Sequence, residues 1–233
     1  LSSHFFLSPQ SLPDLASLPK NIHNYGMAER FVGKVALVTG ASRGIGKATA
    51  LRFAAEGASI AVHFNQNAAA ADEVCEEIAS SGGTALAVQG DLGDTATIPA
   101  IVARVLDEFE RIDILVNNAG IFLASSLADS PLEELDQLLR VNVVSIVALT
   151  GAVVPGMIER RYGKIINLTS VAALATSVPG TSGYGVSKAA VIAATRRTAF
   201  ELGPHNINVN AIAPGLIRTD MGLPETDPAE RAA

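Results

Sequence analysis

Tyr184 and Lys188 stand four positions apart in the segment Tyr184-Gly-Val-Ser-Lys188. On a helix, residues at i and i+4 share a face and can touch. A phenol is a poor acid, with a pKa of about 10. A neighbouring ammonium favours the phenolate and lowers that value. Such a pair can pass a proton to or from a bound substrate near neutral pH. The spacing alone also fits an ordinary surface pair, and a second site at the other end of the chain gives it meaning.

That second site is Thr39-Gly-Ala-Ser-Arg-Gly-Ile-Gly46. Its glycines at 40, 44 and 46 precede an expected helix. Without Cβ atoms they permit a tight turn and close approach of a pyrophosphate to the backbone. The helix start adds free N–H groups and the positive end of its dipole. The spacing is G-x-x-x-G-x-G, a longer turn than G-x-G-x-x-G that meets the same demands. A carboxylate ending the second strand would bind a ribose 2′-hydroxyl and repel a 2′-phosphate. Here that stretch is His63-Phe-Asn-Gln66, without an acid. Arg43, within the glycine turn, can form charge-assisted bonds to a phosphate. NADP is therefore favoured over NAD.

These residues need elements to position them. From Val32 onward apolar runs alternate with amphipathic stretches. Strands are expected over 34–39, 58–64, 84–89, 113–116, 164–169 and 206–212. Helices are expected over 44–56, 68–81, 95–109, 131–157 and 183–202, with Pro155 distorting the end of the fourth. This alternation argues for an α/β fold with a parallel sheet covered on both faces. The last strand differs: Asn206, Asn208 and Asn210 alternate with Ile207, Val209 and Ala211, so one of its faces is polar. No linker divides residues 32–221, which form one domain. Residues 1–31 read as a flexible extension and 222–233 as a tail.

Composition narrows the function. The 233 residues are 48% hydrophobic and 17% charged, ample for a large core and poor for disorder. A net charge of −6 without any basic run speaks against nucleic acid and anionic membrane surfaces as partners. One cysteine, Cys75, forms no internal disulfide and suits a reducing compartment. It reads as a half-buried apolar residue. The histidines, at 4, 23, 63 and 205, lack metal-ligand spacing, and no metal is expected. No apolar run is expected to reach the ~18 residues of a membrane span. Residues 1–26 lack the basic and apolar regions of a secretory signal. They also lack the arginines of a mitochondrial presequence. A cytoplasmic location is expected, with organelle import by residues 1–26 left open.

Together with Asp91, Asn117-Asn-Ala-Gly120, Asn142, Ser170 and Pro214-Gly215, these motifs resemble the short-chain dehydrogenase/reductase family in its single-domain branch. The likeness covers residues 32–221. Similar proteins include 3-oxoacyl-carrier-protein reductases and reductases of fungal polyketide naphthols. The implied fold is a Rossmann-type doubly wound parallel sheet, and the six-strand series predicts the order 3-2-1-4-5-6. The implied activity is hydride transfer between NADPH and a small ketone or secondary alcohol. In that pattern Tyr184 is the general acid, or the base in reverse. Lys188 lowers its pKa and binds the nicotinamide ribose, and Tyr184 also contacts the cofactor. Ser170 hydrogen-bonds the substrate oxygen, and Asn142 holds a water linking Lys188 to solvent. Gly40, Ser42, Arg43, Gly44, Ile45 and Gly46 form the pyrophosphate turn. Asp91 and Leu92 meet the adenine, and Asn118, Ala119 and Gly120 line the groove. Pro214, Gly215, Ile217 and Thr219 embrace the nicotinamide carboxamide. Asn117 belongs either to the groove or to the bracing of the sheet.

The chain departs from the pattern twice. Ser170 precedes Tyr184 by fourteen positions, one more than in the family, which is expected to enlarge the loop 172–182 beside the substrate. The sequence given ends twelve residues after Met221, where family members continue through a lid, a helix and a seventh strand. It is expected to lack that strand and to expose the edge of the sixth. A homodimer through the helices near 131–157 and 184–202 is expected. The alternative function is a non-catalytic nucleotide-binding protein or an inactive fragment. The joint presence of Ser170, Tyr184 and Lys188 argues against it.

Overall fold

The computed structural model of the protein describes residues 29–125, 128, 131–174 and 180–219. Residues 1–28 of the expected extension at 1–31, and the tail at 222–233, lie outside these residues, while Phe31 packs edge-on against Phe53 of the first helix. Six strands form one sheet: β1 (Val35–Val38), β2 (Ser59–Phe64), β3 (Thr84–Gln89), β4 (Ile114–Asn117), β5 (Gly163–Leu168) and β6 (Ile207–Ile212). Their order is β3-β2-β1-β4-β5-β6, and every pairing is parallel. The expected order and fold class hold. All the strand C-termini therefore share one edge, where ligands sit in such sheets.

The helices are α1 (Gly44–Ala55), α2 (Ala68–Ser80), α3 (Ile98–Phe109), α4 (Leu132–Leu139), α5 (Ser145–Glu159) and α6 (Ser182–Leu202). Asn67 caps α2 by accepting from the Ala70 N–H at 3.0 Å, and proline stands in the first turn of α3. Two apolar layers flank the sheet. Leu37, Leu115, Ile165 and Val209 face one side with Ile101, Leu149, Val153 and Met157 of α3 and α5. Val38, Ile60, Val62 and Val116 face the other with Ala50, Val74 and Ile78 of α1 and α2. Each fully buried side chain of this size contributes roughly 1.5–3 kcal/mol.

The expected helix over 131–157 is corrected in one place. A π-turn, Arg140–Val144, separates α4 from α5. Pro155 lies inside α5, which runs on to Glu159. Gly151 and Pro155 are both exposed, so the backbone bond that Pro155 cannot donate is lost at the surface and not in the core. The expectation about apolar runs is corrected as well. The stretch Leu132–Glu159 is long and apolar enough, by length and composition, to cross a membrane. Here Ile146, Leu149, Val153 and Met157 are buried within the core.

β6 forms a sheet edge among the described residues. Ile207 and Val209 are buried while Asn208 and Asn210 are exposed, as the alternation predicts.

Candidate active site

The glycine turn connects β1 to α1. Gly40 and Gly44 hold φ of +60° and +56°, which favours glycine. A Cβ on Gly46 would stand 2.3 Å from the Gly40 oxygen and 2.6 Å from Asn118 Nδ2. The turn is braced from β4. Asn118 Nδ2 donates to the carbonyls of Thr39 at 2.8 Å and Gly40 at 3.1 Å. Thr39 Oγ1 accepts from the N–H groups of Asn118 and Ala119, both at 2.9 Å. The Asn118 side chain is thus spent on holding the turn, a role beyond lining the groove.

Arg43 is the N-cap of α1 and offers no side-chain acceptor, and the first turn carries no acid. Among the described residues, no side chain caps the first N–H groups of α1, which suits them to an anion. Arg43 itself is exposed. At the end of β2, Asn65 donates to Asp91 Oδ1 at 3.3 Å, and Gly93 N–H donates to the same oxygen at 2.9 Å. Asn65 and Gln66 are exposed, and neither is acidic. The Leu92 side chain is buried in the core, leaving its backbone for contact. Ser42 and Ile45 are half-buried beside the turn. Thr219 reaches α1 from the far end of the chain: its Cβ lies 3.4 Å from where a Cβ on Gly44 would stand. Pro214 O accepts from Val171 N–H at 3.1 Å, which ties this segment to the serine turn, while Gly215 and Ile217 are exposed.

Ser170 follows β5 and caps a short 3-10 turn, accepting from Ala172 N–H at 3.2 Å. Tyr184 and Lys188 lie in α6. A Cβ on Gly185 would stand 2.9 Å from the Ala172 carbonyl, so this glycine lets α6 approach the serine turn. Burial pushes the Tyr184 pKa up, and the hydrogen bond with Ser170 pulls it back only in part. The expectation of a lowered phenol pKa is corrected. The Lys188 ammonium turns instead to the Leu168 carbonyl, at 2.9 Å, and lies 5.7 Å from the Tyr184 ring centroid. Lys188 is only 4% exposed, and burial pushes its pKa down to about 8.

Asn142 sits buried in the π-turn. Its Oδ1 accepts from Ile121 N–H at 2.8 Å, and its Nδ2 donates to Ile121 O and to Ser187 Oγ, both at 3.0 Å. Both amide hydrogens are committed, which leaves one lone pair of Oδ1 and the main chain for a water. A Cβ on Gly120 would stand 2.9 Å from Asn142 Oδ1 and 3.3 Å from Lys188 Nζ. Gly120 thereby joins the turn-bracing segment to the lysine. Asn117 braces the sheet: it donates to Asn167 Oδ1 at 2.8 Å, and Asn167 donates to Thr195 Oγ1 at 2.9 Å.

Sequence reasoning missed Phe122. Its ring meets Tyr184 edge-on, with centroids 5.1 Å apart and planes at 80°. Its place two residues past Gly120 was the available signal. The enlarged loop is only partly described. Ser125 N–H donates to Gly180 O at 3.0 Å, and residues 175–179 lie outside the described residues. A cavity of about 520 Å³ along the outer face of α1 touches Gly44, Ile45 and Thr219, but not Ser170, Tyr184 or Lys188.

The glycine turn and the Ser170, Tyr184 and Lys188 group stand on one edge of a parallel sheet, an arrangement that suits a nucleotide-dependent oxidoreductase. The short chain dehydrogenase family profile matches residues 34–229. The chain is 45% identical over 188 residues to a 3-oxoacyl-(acyl-carrier-protein) reductase of Synechocystis sp., covering 81% of this chain and 76% of the relative. It is 40% identical over 188 residues to the corresponding reductase of Staphylococcus aureus, with the same coverage. A short chain dehydrogenase from Burkholderia cenocepacia, solved in complex with NADP, superposes with a TM-score of 0.79 at 40% identity. That match covers 87% of this chain and 82% of that one. The chain belongs to the short chain dehydrogenase family. It is an oxidoreductase whose cofactor is a nicotinamide dinucleotide.

Proposed function

We propose that this protein is an NADPH-dependent ketoreductase in which Tyr184 protonates the carbonyl oxygen. The observation that carries this is the packing of α6, with Tyr184 and Lys188, against the Ser170 turn through Gly185, on the sheet edge that also bears the glycine turn. The turn, the free N–H groups of α1 and the acid-free end of β2 fit NADPH. When bound, it supplies the hydride that reaches the carbonyl carbon. Ser170 and Tyr184 together hold the carbonyl oxygen and meet the charge developing on it. Tyr184 then gives its proton to that oxygen, completing the alcohol. A phenol kept protonated by burial suits this direction. Lys188 holds a positive charge beside the tyrosine and offers N–H donors to the ribose. Asn142 fixes Ile121 and Ser187 around it. Burial pushes the Cys75 thiol pKa up to about 11, which keeps it protonated and unreactive.

The test is consumption of NADPH with a panel of ketones. 3-Oxoacyl thioesters come first, because the Synechocystis and Staphylococcus relatives carry that substrate in their names. NADPH binding without turnover on any ketone would replace this reading with that of a binder. Arg43→Ala should raise the Kd for NADPH about tenfold, the loss of one charge-assisted bond, and leave NADH nearly unchanged. Equal effects on both would remove the 2′-phosphate contact.

A homodimer fits the helix surfaces. Val144 and Val147 are 48% and 56% exposed, and they continue through exposed Gly151 and Pro155 on one face of α5. On α6, Val186 and Phe200 are 56% and 75% exposed. Val147→Arg should shift a dimer to monomer in sedimentation, by placing a charge in an apolar contact. An unchanged sedimentation coefficient would move the interface elsewhere.

A further inference from the structure

His63 reads in the sequence as one of four scattered histidines, and the mechanism above gives it no part. It is 2% exposed at the end of β2, between two segments that serve the dinucleotide. Its Nδ1 accepts from Gly40 N–H at 3.3 Å. Its Nε2 lies 3.1 Å from the Gly90 carbonyl oxygen, one residue before Asp91. A neutral ring with its hydrogen on Nε2 satisfies both contacts at once. Its main-chain oxygen accepts from Ala41 N–H at 2.8 Å, and Gly90 N–H donates to Phe64 O at 3.0 Å. A Cβ on Gly90 would stand 3.7 Å from His63 Nε2 and 2.3 Å from Ile101 Cδ1, so this glycine packs between the ring and α3.

We propose that His63 is a positioning residue for the dinucleotide. It orients the Gly40 peptide and fixes the distance between the pyrophosphate turn and Asp91. Gly40 sits at positive φ and has no side chain to hold it. Asn118 holds the carbonyls of Thr39 and Gly40, and an anchor on the Gly40 N–H completes the restraint of this permissive residue. The imidazole supplies that anchor from within the core and ties it to the stem of the adenine-side carboxylate. Burial pushes the His63 pKa down to about 4, so at neutral pH Nδ1 is an acceptor. This inference rests on the dinucleotide reading of the glycine turn.

Three variants test it: His63→Leu, His63→Asn and His63→Gln. Leucine should raise the Kd for NADPH about tenfold, the value of one hydrogen bond, with kcat at saturating NADPH within about threefold of the parent. Asparagine carries an acceptor near the position of Nδ1 and should restore Kd to within about threefold. Glutamine reaches only toward Gly90 and should not. Amide exchange at Gly40 and Ala41 should speed up in the leucine and glutamine variants alone. The proposal is overturned if the leucine variant binds NADPH as the parent does. It is also overturned if all variants lose affinity equally together with Tm, which would make His63 a packing residue. Should leucine prevent folding, the asparagine–glutamine comparison decides by itself. A parent that binds no dinucleotide would overturn the underlying reading as well, whereas a parent that binds while the leucine variant is unimpaired overturns this inference alone.

Discussion

Tyr184→Phe lowers kcat for ketone reduction by about 10²–10⁴, the range that a positioned acid supplies. The substitution removes one oxygen and keeps the ring. The edge-on contact with Phe122 at 5.1 Å survives, and so does the approach of α6 through Gly185. NADPH affinity should stay within about threefold, because the glycine turn and its Asn118 brace lie on other elements. Stability should change by no more than about 1 kcal/mol, the net value of the lost bond with Ser170. Single-turnover kinetics together with NADPH titration would check this. Full turnover in the variant would strip Tyr184 of its role, and loss of NADPH binding would show a collapsed site in place of a missing acid.

Lys188→Met separates activity from stability. Lys188 is a nearly inaccessible cation whose hydrogen bond goes to a neutral carbonyl, Leu168 O. Its pKa falls from 10.5 to about 8 on folding. Between these values the unfolded chain binds more protons than the folded one. The group's contribution to stability is therefore complete above pH ~10.5, declines as pH falls toward ~8 and is absent below. At neutral pH the folded state carries a cost of order 3 kcal/mol for keeping the ammonium charged. Methionine fills the same space without charge, but leaves the Leu168 carbonyl without its donor, a loss of about 1 kcal/mol. The variant should be more stable than the parent by about 1–2 kcal/mol at pH 7, or about 2–8 °C in Tm. That advantage should vanish as pH rises past ~10. Turnover should fall by at least about 10², since the charge beside Tyr184 is gone. Thermal unfolding across pH checks the sign; a variant less stable than the parent at pH 7 would mean that Lys188 supports the fold.

The sequence made the framework readable because its signals are local. Val35–Val38, buried on every residue, and the glycines that follow it announced a strand, a turn and the start of a helix in the twelve residues from Val35 to Gly46. The four-residue step from Tyr184 to Lys188 placed both on one helix. It did not say where a flexible lysine would point, and the ammonium chose the Leu168 carbonyl. Nor did it give the depth of the phenol, which sets the direction of its pKa. The π-turn escaped because Asn142 earns its place through Ile121 and Ser187, residues 21 and 45 positions away. His63 escaped for the same reason: Gly40 and Gly90 lie 23 and 27 residues from it, and no spacing rule joins them.

The brace between Thr39 and the segment Val116–Ala119 spans 77 to 80 residues of chain. Contacts of that separation close slowly, because loop entropy must be overcome before they form. A nascent chain that has made β1, β2 and β3 already holds every glycine of the turn but none of the partners of the Thr39 hydroxyl. Dinucleotide affinity is thus a late acquisition in folding. It becomes available only when the two halves of the sheet have joined, and from then on it stabilises the finished state by mass action.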